Sequence, residues 1–290
     1  MILYLLLGLA IAYLLITLVL TGIVQQYPRR PVVDPPNWGR VDDVRIKTVD
    51  GGSLEVWRIT PAGPSQGIVL FMHGWGRNRD RMVGRACIFA QWGYTAVIHS
   101  ARDHGNSSPC RFMNTMKFAE DIEAVLEWIG ESVLLYGHSA GSGGAIIVAA
   151  RNPQKIRLLL LEGCYARTRA ALLNLYIWAN PVFGRCFGPA ILGWMNLFYR
   201  GGLHKVDPGR LAREVKMPVM LIQGENDRRF PVAFARQLAD CFRPGQAILY
   251  IAAGAGHSNS SSAPDYAAAV KGFLDRHADI LKKTAKRKST

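Results

Sequence analysis

A chain of 290 residues, 49% of them apolar, is long enough for one large domain with a substantial core, and the absence of any fixed-period repeat excludes a solenoid. The net charge of +14 favours an anionic partner, either a lipid headgroup surface or a nucleic acid, and charge alone does not choose between them. Five scattered cysteines (Cys87, Cys110, Cys164, Cys186 and Cys241) include no C-x-x-C pair, which argues against a zinc site or a complete disulfide framework and for reduced, mostly buried thiols.

Residues 2–24 carry no charged side chain and would span about 35 Å as a helix, enough to cross a bilayer. No basic residue precedes this segment and no clear A-x-A pattern follows it, so it reads as an uncleaved anchor (1–25) rather than a signal peptide. Arg29, Arg30, Arg40, Arg45 and Lys47 all follow it, and the positive-inside bias then puts the remainder of the chain on the cytoplasmic side. Pro28, Pro31, Pro35 and Pro36 make 26–40 an extended, semi-rigid linker, and a folded domain is expected over 41–281.

Within that domain, 44–49 and 54–59 flank Asp50-Gly51-Gly52-Ser53 as a hairpin, and 67–72 is a continuous apolar run suited to a buried strand. Helices at 80–92, 115–129, 142–151, 208–214, 231–241 and 264–281 then alternate with strands at 94–99, 133–136, 156–161, 218–223 and 246–251. Such alternation predicts an α/β fold, a mostly parallel central sheet flanked by helices. Residues 163–206 interrupt it with 44 positions free of Asp and Glu but rich in aromatic residues, which reads as a helical cap insertion able to line an acyl pocket, rest on a membrane or simply pack. Lys282, Lys283, Lys286, Arg287 and Lys288 make 282–290 a basic tail, suited to anionic lipid or to solvent.

Gly137-His138-Ser139-Ala140-Gly141 lies between an apolar strand and a small-residue helix, the context in which a Gly-x-Ser-x-Gly run holds a serine out from a sharp strand-to-helix turn. A serine hydroxyl needs a base and a group to orient that base. Asp227 follows the apolar strand 219–222 and His257 follows 247–251, so both fall beyond strand C-termini, at the edge where ligands bind in open parallel sheets. Glu162, ending the strand before them, is a competing carboxylate; Glu225 reads as a surface residue. Gly141, Gly143 and Gly144 fail as a dinucleotide fingerprint because Ile146 takes the sixth position, and no histidine-carboxylate spacing suggests a metal, so neither cofactor nor metal is expected. No RNA-binding signature or recognition-helix pattern accompanies the basic charge, and no nucleic-acid partner is expected.

With Ser, Asp and His in that chain order, 41–281 resembles the α/β-hydrolase superfamily, and within it the serine aminopeptidase and monoacylglycerol lipase-like branch. The resemblance implies an α/β-hydrolase fold in which Ser139 is the nucleophile, His257 the general base and acid, and Asp227 the residue holding the imidazole tautomer. His73-Gly74-Trp75-Gly76 resembles the family's His-Gly loop, which implies the backbone N–H groups of Trp75 and Ala140 as oxyanion donors. Asp103-His104-Gly105-Asn106-Ser107 resembles the family's D-x-x-G-x-S loop, with its usual arginine-glycine lead altered to Arg102-Asp103-His104. The expectation is a membrane-anchored serine hydrolase acting on a lipophilic ester or thioester. The alternatives are an acyltransferase or peptidase on the same fold, or a noncatalytic membrane-bound binding protein.

Overall fold

A computed structural model describes residues 1–26, 29–32 and 34–282. Tyr27, Pro28 and Val33 of the expected linker, and the expected basic tail after Lys282, lie outside the described residues. In chain order the elements are α1 (Ile2–Ile23), β1 (Arg40–Lys47), β2 (Ser53–Thr60), β3 (Ile68–Met72), α2 (Val83–Gln91), β4 (Thr95–His99), α3 (Thr115–Ile129), β5 (Val133–His138), α4 (Ala140–Arg151) and β6 (Ile156–Glu162). They continue as α5 (Thr168–Ala179), α6 (Pro181–Cys186), α7 (Gly188–Phe198), α8 (Pro208–Leu211), β7 (Val219–Gly224), α9 (Val232–Ala239), β8 (Ala247–Ala252), α10 (Tyr266–Arg276) and α11 (Ala278–Lys282).

One eight-stranded sheet runs in the order β1-β2-β4-β3-β5-β6-β7-β8. The β1-β2 hairpin and its β2-β4 junction are antiparallel, and every other neighbouring pair is parallel. The central strands are apolar throughout because both faces are covered. Along β3, Leu70 and Met72 face a core shared with Phe118, Ile122 and Ile146 of α3 and α4, whereas Val69 and Phe71 face Phe89, Val270 and Phe273 of α2 and α10. That period-two division sorts the helices into two layers.

Local signals set the boundaries. Asn114 caps α3 by accepting the Lys117 N–H at 3.1 Å, and Gly130 ends it in the left-handed region. The expected helix at 80–92 opens as a tighter 3-10 turn, Arg79–Met82, before α2, and the one at 264–281 divides at His277 into α10 and α11. Between β6 and β7 lie α5 to α8, of which α5, α6 and α7 fall within the expected insertion at 163–206. The thiols depart from expectation: among the five free cysteines only Cys164 is fully buried, and Cys186, the last residue of α6, is exposed.

The segment before β1 is not a free spacer. Arg29 donates to the Ser107 carbonyl at 2.8 Å, Asn78 donates to the Pro31 carbonyl at 2.9 Å, and Val32 and Trp38 pack on the α2-α10 core. Proline stiffness, legible in sequence, says nothing about these distant partners.

The strand-to-helix turn after β5 is closely packed against its neighbours. Ser139 has φ 56° and ψ −120°, and a Cβ at Gly137 would meet the Gly141 carbonyl oxygen at 2.5 Å, while one at Gly141 would meet the His73 carbonyl oxygen at 2.4 Å. Both collisions are with backbone, so Gly137→Ala and Gly141→Ala are each expected to lower the unfolding free energy by about 1–3 kcal/mol or more, read from urea melts.

Candidate active site

The parallel strands β3, β5, β6, β7 and β8 all end at one edge of the sheet, and the loops leaving β5, β7 and β8 bring Ser139, Asp227 and His257 together there. Ser139 Oγ lies 2.9 Å from His257 Nε2, and His257 Nδ1 lies 2.7 Å from Asp227 Oδ2. An ionised carboxylate only accepts, so Nδ1 carries the ring proton and the Nε2 lone pair faces the serine hydroxyl.

The carboxylate is immobilised on all sides. Asp227 Oδ1 accepts the backbone N–H groups of Arg229 and Phe230, both at 2.9 Å, and Oδ2 accepts Gln223 Nε2 at 2.8 Å as well as the imidazole. The Gln223 amide also donates to the Phe230 carbonyl at 2.6 Å, closing the turn. The imidazole is fixed by shape: the Phe230 ring meets it edge-on at 5.0 Å, and Gly163 leaves it room, since a Cβ there would sit 3.0 Å from His257 Cε1.

The loop after β3 crosses the elbow. A Cβ at Gly74 would meet Ser139 Cβ at 2.8 Å, so the backbone of 73–76 runs directly over the serine. Among the described residues neither the Trp75 nor the Ala140 N–H donates a hydrogen bond, whereas the neighbouring Gly76 N–H is taken by His104 Nε2 at 3.1 Å. His73 bonds locally: Nδ1 donates to the Gly74 carbonyl at 2.7 Å and Nε2 accepts the Ala101 N–H at 2.9 Å. Burial pushes its pKa well below the usual range, keeping it neutral. His138 Nε2 donates to the His257 carbonyl at 2.9 Å, and burial drives this imidazole down to about 3.

Glu162 does not reach the imidazole. It is fully buried and forms a two-pronged pair with Arg85 at 2.5 Å through each oxygen, and it accepts the Tyr136 hydroxyl at 2.6 Å. Burial raises its pKa, but the guanidinium, together with His138 and the hydroxyl, outweighs it and holds the carboxyl at about 2. The arginines reach the site indirectly: Arg81 and Arg85 both donate to the Ser258 carbonyl, at 2.5 and 3.2 Å, next to His257. Glu225 is exposed and accepts the Gly254 N–H at 2.8 Å.

Sequence reasoning missed Gln223, Phe230, Arg81 and Arg85. Gln223 stands at the end of β7, four residues before Asp227, a spacing that offered a signal; the arginines on and before α2 offered none. In the loop after β4 the altered lead is an anchor. Arg102 is buried and binds Asp121 and Asp50, each at 2.6 Å, and Gly105 suits its place because its φ is 51° and a Cβ would fall 2.1 Å from Glu55 Oε1. Among the described residues no group of three or more His, Cys, Asp or Glu side chains is arranged to hold a metal ion.

The strand order and this edge define the α/β-hydrolase fold. The family profile described as serine aminopeptidase, S33, matches residues 63–200, which include the His73-Gly74 loop and the elbow and stop short of Asp227 and His257. A bifunctional esterase/perhydrolase of Acinetobacter calcoaceticus is 23% identical over 229 residues, covering 63% of this chain and 83% of the relative. A pimeloyl-[acyl-carrier protein] methyl ester esterase of Neisseria meningitidis is 32% identical over 123 residues, 41% of this chain and 45% of the relative. Among solved structures an esterase of Pyrococcus furiosus superposes with a TM-score of 0.68 at 18% identity, covering 87% of this chain and 98% of the other. The chain therefore has the α/β-hydrolase fold and is similar to the serine aminopeptidase family over 63–200 and to several esterases.

The buried pair has a testable sign. Because the folded pKa of Glu162 lies below its ordinary value of 4.5, its stabilisation is complete above pH 4.5 and is lost as pH falls towards about 2. Glu162→Gln is expected to cost about 3–5 kcal/mol at neutral pH, since Arg85 is left buried without its counter-ion. Over that acid range its denaturant midpoint should fall less than that of the wild type.

Proposed function

We propose that this protein is a membrane-anchored serine hydrolase that cleaves an ester or thioester of a lipophilic acyl group. Ser139 Oγ attacks the carbonyl carbon as its proton passes to His257 Nε2, and the Asp227 carboxylate stabilises the imidazolium that forms. The oxyanion is received by the N–H groups of Trp75 and Ala140, the second at the N-terminus of α4, where the helix dipole adds positive potential. The imidazolium returns the proton to the leaving alcohol or thiol, and an acyl-Ser139 remains. Water then repeats the cycle: Nε2 takes its proton, hydroxide oxygen joins the acyl carbon, and Ser139 leaves with the proton as the acid departs.

The observation that carries this reading is the hydrogen-bonded series from Asp227 Oδ2 through His257 to Ser139 Oγ, 2.7 and 2.9 Å. The esterases among the similar proteins support the ester bond as target. Membrane attachment and a lipophilic substrate are supported by α1, whose 22 residues are long and apolar enough to cross a bilayer, and by the apolar insertion beside the site. The basic residues following α1 favour a cytoplasmic catalytic domain. The mechanism as written uses no cofactor.

Steady-state hydrolysis of an ester and thioester panel of graded acyl length tests the assignment. Ser139→Ala and His257→Ala are each expected to lower kcat by about four to six orders of magnitude, and Asp227→Asn by about four. Turnover retained by folded Ser139→Ala would overturn it. An Asp227→Asn enzyme close to wild type would remove the acid from its role.

A further inference from the structure

Helix α1 is fastened to the insertion along one polar stripe. Thr17, Thr21 and Gln25 recur at a spacing of four, and the two threonines are the buried residues of the helix. Trp194 of α7 donates its indole N–H to Thr17 Oγ1 at 3.0 Å, and the Tyr199 hydroxyl donates to Gln25 Oε1. Further along α1, Tyr13 donates to the Cys186 carbonyl at 2.7 Å and stacks on Phe187, while Leu20 and Val24 pack against the cluster of Tyr176, Ile191, Leu192, Met195 and Leu203. Polar groups exchanged between helices inside an otherwise apolar contact are the bonds that hold helices together in lipid, where apolar surface alone gives little preference.

The contact sets a depth. Tyr13 stands ten residues before Ile23 along α1, about 15 Å of rise and half of a ~30 Å hydrocarbon core. An insertion bonded from Tyr13 to Gln25 cannot stay clear of a bilayer that α1 crosses. Its outer surface suits that placement, with Val182, Leu197 and Phe198 exposed at 70%, 63% and 55%. Between 163 and 206 the charges are all cationic: Arg167, Arg169, Arg185, Arg200 and Lys205. Such a surface complements lipid phosphates.

We propose that α6 and α7 are inserted into the headgroup and acyl boundary of the leaflet adjoining the folded domain, as one membrane unit with α1. Val182, Leu197 and Phe198 lie among acyl chains. The exposed Arg185 guanidinium reaches the phosphates along its apolar stem, and a tilt of α1 brings the α6-α7 turn to that level. The inserted surface connects directly to the site. On the preceding helix, Asn174 donates to the carbonyls of Arg228 and Arg229, and Ala171 and Leu175 pack with Phe230, the ring set against His257. A lipophilic ester leaving the bilayer beside the insertion would thus enter next to the proposed nucleophile. This inference rests on the reading of α1 as a membrane anchor.

The test places an environment-sensitive nitrobenzoxadiazole label, one position at a time, on full-length protein lacking its native cysteines. The labelled variants are Leu7→Cys, Leu197→Cys, Phe198→Cys and, on the far side of the domain, Glu127→Cys. All are reconstituted in phosphatidylcholine vesicles containing anionic phosphatidylglycerol. At 197 and 198 the expected results are blue-shifted emission, protection from aqueous iodide and quenching by lipid spin-labelled near the carbonyl. At Leu7 quenching should come from lipid spin-labelled near the chain terminus, and at Glu127 from iodide. A Leu7 label in the bilayer with 197 and 198 open to iodide would overturn the insertion and leave the anchor standing. A Leu7 label open to iodide would remove the anchor and the inference with it. Blue-shifted labels at 197 and 198 that spin-labelled lipid does not quench would assign this face to contact with another protein copy, again overturning the proposal.

Discussion

A serine held at positive φ is the constraint on which the site depends. An L-residue in that conformation is strained, by about 1–3 kcal/mol in typical cases, and persists only where its surroundings permit nothing else. Here Gly137 and Gly141 bring α4 hard against β5 and the end of β3, and Gly74 lets the loop after β3 cross Ser139 at van der Waals distance. The same approach that enforces the turn puts Ser139 Oγ at His257 Nε2 and lays the 73–76 backbone across it. The strain, the placement of the proposed nucleophile and that of the proposed oxyanion donors are consequences of one packing arrangement.

Two carboxylates near neighbouring strand ends have opposite fates for physical reasons. Glu162 points into the buried layer between the sheet and α2, where Arg85 and Tyr136 bond it, and its low pKa makes it a fixed charge. Asp227 sits on a turn whose own N–H groups occupy one oxygen, leaving the other to Gln223 and the imidazole. A buried ion pair is weak evidence of net stabilisation, because desolvation offsets much of its attraction. Its geometry nevertheless has a local effect. With Arg81, Arg85 ties the carbonyl of Ser258 to the base of the site, and the loop bearing His257 is held from beneath as well as by Asp227.

Much of this was legible in residue patterns, because each central strand buries both faces and so reads as an unbroken apolar run, and the turns between carry Gly, Asn or Asp with a mechanical reason to be there. Gly137 and Gly141 announce themselves in this way. The order of Ser139, Asp227 and His257 pointed to a shared sheet edge, and those side chains lie within hydrogen-bond distance there. What sequence did not disclose are partnerships across long separations. Arg85 with Glu162, Arg102 with Asp121, and Arg29 with Ser107 join positions that no local periodicity couples. The Thr17, Thr21 and Gln25 stripe falls between the two cases: its spacing of four is visible, but hydrophobicity alone does not mark it as a contact surface.

In the proposed mechanism the hydroxyl at position 139 reacts because the imidazole at 257 accepts its proton. This is tested most directly by incubating membrane-reconstituted protein with a fluorophosphonate and mapping the adduct by peptide mass spectrometry. The expected result is one phosphonyl group, on Ser139, formed far more slowly in a folded His257→Gln variant. An adduct on another serine, no adduct at all, or an unchanged rate in that variant would contradict it.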